Sequence, residues 1–214
     1  MKVEENNFVE EKEFTANRSM LDYYGVSMIA MMVFVGSIIG AGTFGEEIRL
    51  KTVNRLIGSP VSRTKIFIQK VIGQIPSAMI EIVVVMVVSV LFFNVHYATT
   101  VGGNLFLFSL FLLSSFTMLI VGIVIGMFVK ANPTLIIMPP LWFMMFVGGT
   151  FTKEINIKGV TENMPIYHLQ QAAFDITIFG RTGKATNMML IETVIIIIMA
   201  VIGVVKFNTM KEAR

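Results

Sequence analysis

Charged residues divide this chain into long apolar stretches and short polar segments. Residues 23–45 contain no charge, and a helix needs about 20 residues to cross the hydrocarbon layer of a membrane. Residues 71–129 carry a single charge, at Glu81, and the polar, glycine-containing segment around Gly102 and Gly103 divides this stretch into two spans. The pattern predicts five transmembrane helices, at about 23–45, 71–95, 105–129, 134–152 and 185–205.

Composition supports this prediction and excludes a soluble protein. Of the 214 residues, 55% are hydrophobic and only 14% are charged, whereas soluble domains carry roughly 25% charged residues. The absence of cysteine excludes a disulfide framework and a thiolate metal site, and nothing in the charge distribution indicates nucleic-acid binding. We therefore expect an all-α integral membrane protein.

The distribution of basic residues predicts the orientation in the membrane. Ten of the 17 Lys and Arg residues lie in segments 46–70, 130–133 and 206–214, and such residues accumulate on the cytoplasmic side. We expect these segments and the C-terminus to be cytoplasmic and the N-terminus to lie outside. The predicted organisation is an acidic outer segment at 1–22, a transmembrane domain at 23–206 with an outer segment at 153–184, and a cytoplasmic tail at 207–214.

Small residues and prolines mark particular places within the predicted spans. Gly36 and Gly40 lie one helical turn apart, as do Gly122 and Gly126, and such pairs allow two helices to approach closely. The pairs predict helix packing, either within the chain or between subunits. Pro76, Pro139 and Pro140 are expected to bend or break their helices.

Two glutamates lie within predicted spans. Glu81 is about ten residues into the second span, where a charge facing lipid costs roughly 3 kcal/mol. We expect it to avoid lipid, and two roles remain open: a polar contact for cargo or for a coupled proton, and an interhelical hydrogen bond. Glu192 is nearer the outer end of the last span and is expected to reach the headgroups.

No motif indicates catalysis by this chain. The segment from Gly180 to Lys184 has two residues between its glycines, whereas a phosphate-binding P-loop has four and ends in Ser or Thr. No set of catalytic or metal-ligating side chains converges on one element. We expect no enzyme activity, no metal and no cofactor in this chain.

The segment from residue 46 to residue 70, here called the basic loop, is the most informative part of the sequence. It is predicted to continue the first helix to about Gly58 and to begin a second, amphipathic helix with Ser59 as N-cap and Pro60 at its first position. The residues alone leave two roles open, a helix lying on anionic lipid and a helix docked in a partner's groove. One helical face is apolar: Leu50, Val53, Leu56 and Ile57.

The basic loop resembles the permease subunits of ABC-2 type ABC transporters. Segments 21–26 and 164–171 are also similar to that family, the latter to its short outer re-entrant helices before the last span. Lys51 stands where the family often has Gly, and the usual first span and extracellular domain look absent. The matching residues of the loop are Glu47, Thr52, Leu56, Pro60, Val61, Ser62 and Arg63.

The resemblance implies a permease of an ABC-2 exporter in a bacterial cytoplasmic membrane. Cargo would move by means of ATP hydrolysis on a separate ATPase subunit, which would hold ATP and Mg, and two permease chains, identical or different, would pair. The loop would be a coupling helix, with basic residues at an acidic rim and Leu56 and Val61 in an apolar contact. The alternative is a membrane scaffold or immunity-type protein that does not transport. The implied coupling residues are Glu46, Glu47, Arg49, Lys51, Thr52, Arg55, Leu56, Ser59, Pro60, Val61, Ser62 and Arg63.

Overall fold

Helices are the only regular elements in the part of the chain that the structure, a computed structural model, describes: residues 20–129, 131–151 and 157–210. A single 3-10 turn, Thr161–Asn163, precedes the seventh helix. The predicted all-α fold is confirmed. The helices are α1 (Met20–Arg49), α2 (Val53–Ile57), α3 (Arg63–Gly73), α4 (Ile75–Phe93), α5 (Val101–Phe128), α6 (Pro133–Val147), α7 (Pro165–Phe179) and α8 (Gly183–Thr209).

Among the described residues, four helical segments are long and apolar enough to cross a membrane: α1, α3 together with α4, α5, and α8. The fourth predicted span corresponds to α6, which is apolar but has only 15 residues. At 1.5 Å per residue this helix is about 22 Å long, shorter than the hydrocarbon layer of roughly 30 Å. It ends where Gly149 adopts a left-handed backbone conformation, with φ of 76°.

The prolines act differently in α4 and α6. Pro76 lies in the first turn of α4, and a break at Gln74 separates α3 from α4. In contrast, α6 continues through Pro139 and Pro140, so the break expected there does not occur. Membrane helices tolerate proline because neighbouring groups satisfy the few freed carbonyls.

The centre of the fold is the packing of α1 along α5, around which the other long helices are arranged. Their main core also takes side chains from α6 and α7, and its most buried members include Ile29, Phe111, Met145 and Ile166. The chain passes up and down, so that one end of the bundle carries the basic loop and the end of α8. We call this the basic end, and the other the opposite end.

Three of the four predicted packing glycines lie where the backbones of α1 and α5 touch. A Cβ atom on Gly40 would lie 2.1 Å from the carbonyl oxygen of Leu119, and one on Gly122 would lie 2.0 Å from that of Ser37. A Cβ atom on Gly126 would lie 2.3 Å from the carbonyl oxygen of Ala41. Gly36 is less constrained, because its nearest neighbour would be 3.7 Å away. These glycines therefore serve packing within the chain.

Candidate functional site

The basic loop folds as two helices joined by an irregular segment. The prediction that the first helix continues to about Gly58 is wrong, because α1 ends at Arg49 and a separate short helix, α2, ends at Ile57 with Gly58 as its C-cap. The second helix begins later than predicted, at Arg63, with the extended residue Ser62 before it. Ser59 is not an N-cap, because its hydroxyl donates to the carbonyl of Leu56 at 2.9 Å, and Pro60 precedes the helix instead of starting it.

The turn between α1 and α2 depends on a left-handed residue. Lys51 has φ of 59°, a conformation that glycine adopts freely and that costs other residues roughly 1 to 2 kcal/mol. This explains why glycine suits the position in the family that the loop resembles. The hydroxyl of Thr52 donates to the carbonyl of Glu47 at 3.3 Å and helps to close the turn.

Three charged residues at the end of α1 are used within the chain. Arg49 Nε donates to the Glu46 carboxylate at 3.0 Å on the surface. Glu47 pairs with Lys70 of α3, whose Nζ also donates to the carbonyl of Thr43 at 3.3 Å. The exposed Arg49–Glu46 pair contributes about 0 to 1 kcal/mol, whereas the Glu47–Lys70 pair is partly buried and connects the end of α1 to α3.

Arg63 points back into the protein, towards the end of α8. Its Nη1 atom donates to the carbonyl of Asn208 at 3.0 Å and to that of Met210 at 2.7 Å. The partners are 145 residues apart or more. This contact could not be predicted from the sequence, because no local pattern indicates a pairing between residues so distant along the chain.

An aromatic cluster fixes the base of the loop. The ring centroids of Phe44 (α1) and Phe67 (α3) are 5.9 Å apart, and those of Phe44 and Phe207 (α8) are 5.0 Å apart. All three rings are buried, and Val53 and Ile66 pack in the same group. The loop is therefore held against α1, α5 and α8. The sequence pattern does not indicate that these rings lie together, because they are far apart along the chain.

The remaining surface of the loop is basic and apolar, and we call it the tip. Leu50 is 60% exposed and Val61 is 40% exposed, whereas Leu56 packs partly against the aromatic cluster. Thr52 and Ser62 are exposed beside the tip. The tip is the part of the predicted coupling site that could meet a partner, and it consists of Leu50, Lys51, Arg55, Pro60 and Val61.

The two glutamates within the spans differ in their surroundings. Glu81 is half-buried in α4, and the described residues donate no hydrogen bond to it, so its role stays a prediction. Glu192 is only 4% exposed, and its Oε1 accepts from the Ser114 hydroxyl of α5 at 2.6 Å. The expectation that Glu192 reaches the headgroups is wrong, because its side chain turns inward to a polar group of α5.

A cleft of about 1140 Å³ opens at the opposite end, between α1, α4 and α5. The carboxylate of Asp22 accepts from the backbone N–H of His96 at 2.6 Å on its wall. The phenol oxygen of Tyr97 and the hydroxyl of Ser89 are 2.6 Å apart, and burial raises the pKa of Tyr97, so the phenol stays neutral at physiological pH. The cleft combines apolar walls, including Val87, with a few fixed polar groups.

No group of three His, Asp or Glu residues that could hold a metal ion occurs in residues 20–129, 131–151 and 157–210. The arrangement provides an anchored base and an exposed tip.

Long apolar helices around a glycine-packed centre define a multi-pass membrane protein. A family model described as ABC-2 family transporter protein matches residues 2–205. The chain therefore belongs to the ABC-2 transporter family, as its membrane-spanning permease component. No curated protein and no solved structure matches it.

Proposed function

We propose that this chain is the permease subunit of an ABC-2 exporter in a bacterial cytoplasmic membrane, driven by ATP hydrolysis on a separate ATPase subunit. A second permease chain completes the assembly. Family membership supports the permease and, in general, an ATPase partner. The basic loop carries the finer proposal, because it presents an exposed tip on a base that is fixed to α1, α5 and α8.

The orientation proposed is that of the positive-inside rule, with the basic end in the cytosol. The basic loop and the basic residue in the last turn of α8, Lys206, lie at this same end. An ATPase fuelled by cytosolic ATP would meet the tip on this side. The opposite end, with its cleft, would then face the outside.

The chemistry of the tip suits a cleft with an apolar floor and an acidic rim. Leu50 and Val61 supply apolar contact, and Lys51 and Arg55 supply positive charge at the edges. Complementary charge chiefly speeds and orients association. We assign the apolar contact to Leu50, which precedes α2, in place of Leu56, because Leu56 is partly covered by the aromatic cluster.

Co-purification tests the proposal. We expect an ATPase subunit to remain with the tagged wild-type permease in mild detergent, and Arg55→Glu to reduce its recovery about tenfold by placing like charge at the acidic rim. Arg181→Glu is the matched control, because Arg181 is exposed at the opposite end. A wild-type chain that purifies alone would favour the scaffold alternative. If Arg55→Glu retains the ATPase as well as the wild-type permease does, the tip is not part of the coupling site.

Cysteine labelling tests the orientation, since the natural chain has no cysteine. Gly58→Cys in the loop should react with an impermeant maleimide only from the cytosol. Val160→Cys, at the opposite end, should react from the outside. The reverse pattern would contradict the proposed coupling to a cytosolic ATPase.

A further inference from the structure

The first turns of α3 are attached to the last turns of α8 at two points. At the first point, Arg63 Nη1 bonds the carbonyls of Asn208 and Met210. The side-chain amide of Asn208 also donates to the hydroxyl of Thr64 at 3.1 Å. These bonds join the helix that begins at the basic loop to a helix that crosses the whole bundle.

Arg63 supplies hydrogen-bond donors and positive charge to the C-terminal end of α8. The last carbonyls of a helix have no partner within the helix, and they carry the negative end of its dipole. The basic residue in the last turn of α8 is Lys206, and its Nζ lies 4.5 Å from the ring centroid of Phe128 on α5. The guanidinium of Arg63 therefore supplies the capping cation from another helix.

The second point of attachment is a notch in α8. A Cβ atom on Gly203 would lie 2.4 Å from Cζ of Phe67, so only glycine leaves room for this ring. Phe67 is 1% exposed and stacks on Phe44, which prevents the ring from moving aside. Because Arg63 and Phe67 are four residues apart, they lie on the same face of α3. Two contacts on one face fix both the position and the rotation of α3 on α8.

α8 contacts α5 along one side, where Glu192 bonds Ser114, but most of its apolar surface is not covered by the rest of the protein. Only 11% of its most apolar window is buried inside the protein, against 61% for α1. A helix with most of its apolar surface outside the protein core can be displaced by a force applied at its end with little repacking of that surface. The attachment joins the end of α8 directly to the basic loop, because Arg63 and Phe67 belong to that loop.

We propose that Arg63, Phe67 and Gly203 form a latch that transmits movement of the basic loop to α8, so that Arg63 is a positioning residue and not an ATPase contact. This inference rests on the proposed function. It gives two arginines of the same loop different roles: Arg55 binds the ATPase at the tip, and Arg63 links the base of the loop to the bundle.

The test uses the co-purified complex of permease and ATPase with pairs of spin labels. One pair joins Gly58→Cys in the loop to Leu135→Cys on α6, and the other joins Val205→Cys on α8 to Leu135→Cys. Leu135 and Val205 are exposed. Both distances are measured without nucleotide and after trapping with Mg·ATP and vanadate. In wild type we expect both distances to change.

Arg63→Ala and Gly203→Ala should retain the ATPase and the change at the loop while reducing the change at α8 by about half or more, because the latch is released. Arg63→Lys should restore part of it. Gly73→Ala is the matched control for Gly203→Ala, since a Cβ atom on Gly73 would meet nothing within 4 Å. If Arg63→Ala does not fold, Gly203→Ala carries the same test.

A second measurement needs no ATPase. Hydrogen exchange of the amides at 205–210 should be about tenfold faster in Arg63→Ala than in wild type, because the end of α8 loses its cap. Gly73→Ala should leave it unchanged.

The outcomes separate the two proposals. An ATPase that never accompanies the wild-type chain contradicts the proposed function. Four other outcomes overturn the latch and leave the permease assignment intact. Two concern the variants: Arg63→Ala loses the ATPase, or the distance change at α8 survives in both latch variants. The other two are unaltered hydrogen exchange at 205–210 in Arg63→Ala and no distance change at α8 in wild type.

Discussion

Two pairs of apolar helical segments in this protein differ in how far they are buried within it. In the most apolar windows of α1 and α5, 61% and 56% of residues are buried, whereas the corresponding shares are 17% for the segment of α3 and α4 and 11% for α8. By hydropathy, α8 is the most apolar of the four segments, and α1 is the least. Hydropathy therefore selects the helices that can span, and it does not select those that are buried in the protein.

The difference between the pairs lies in the sizes of their side chains. α1 and α5 touch through glycine backbones and two buried serines, since Gly36 of α1 lies beside Ser115 and Gly122 of α5 lies beside Ser37. α4 and α8 present large side chains outward, for example Leu91 and Val201. Lipid tails are as apolar as leucine, so close packing and hydrogen bonds decide which surfaces meet.

The largest expected effect is at the glycine contact. Gly40→Ala places a methyl group against the carbonyl of Leu119, and because the neighbour is backbone, relief requires the helices to separate. We expect the free energy of unfolding, measured by denaturation in mixed micelles, to fall by about 1 to 3 kcal/mol.

Gly42→Ala is the control for this prediction, because a Cβ atom there would meet nothing within 4 Å. It should be neutral or stabilising, since alanine favours helix over glycine by about 1 kcal/mol. Equal stability of the two variants would contradict the assignment of the α1–α5 contact.

An intermediate effect is expected where α8 does contact the centre. Glu192→Ala removes the acceptor for the Ser114 hydroxyl, and interhelical hydrogen bonds in membranes contribute on average about 0.6 and at most about 1.7 kcal/mol. We expect a loss in this range for Glu192→Ala and a smaller one for Glu192→Gln, whose amide oxygen still accepts.

A double-mutant cycle with Ser114→Ala measures this pair directly. Thr193→Ala, at the next and exposed position of α8, is the control and should be close to neutral. Additive effects of Glu192→Ala and Ser114→Ala would show that the pair does not connect the helices.

The smallest effect is expected on the outward face of α8. Ile197→Val removes a methylene from a side chain that is exposed, so unfolding free energy should change by less than about 0.5 kcal/mol. The same substitution at the buried Ile123 of α5 should cost about 0.5 to 1.5 kcal/mol. Equal costs in the same micelle assay would mean that a partner covers the face of α8.

Much of this architecture follows from sequence because its causes are local. Uninterrupted apolar stretches long enough to span require helices, since a backbone in lipid must satisfy its own hydrogen bonds. Gly40 and Gly122 each lie four residues from a second glycine, and this spacing predicts close helix contacts. The residues from Pro60 to Arg63 carry the resemblance to the family. The short length of α6 does not follow from the sequence pattern, because no charged residue occurs until Lys153, beyond the turn at Gly149.

The tertiary structure alone decided which way the polar and charged side chains face. Arg63 was predicted to point outward with the other basic residues, and it caps a helix end 145 residues away. Glu192 was expected at the membrane surface, and it bonds Ser114 across 78 residues. Sequence determines spans and candidate contacts through periodicity and composition, whereas the partner of a side chain depends on which helices pack together, and that arrangement exists only in the folded chain.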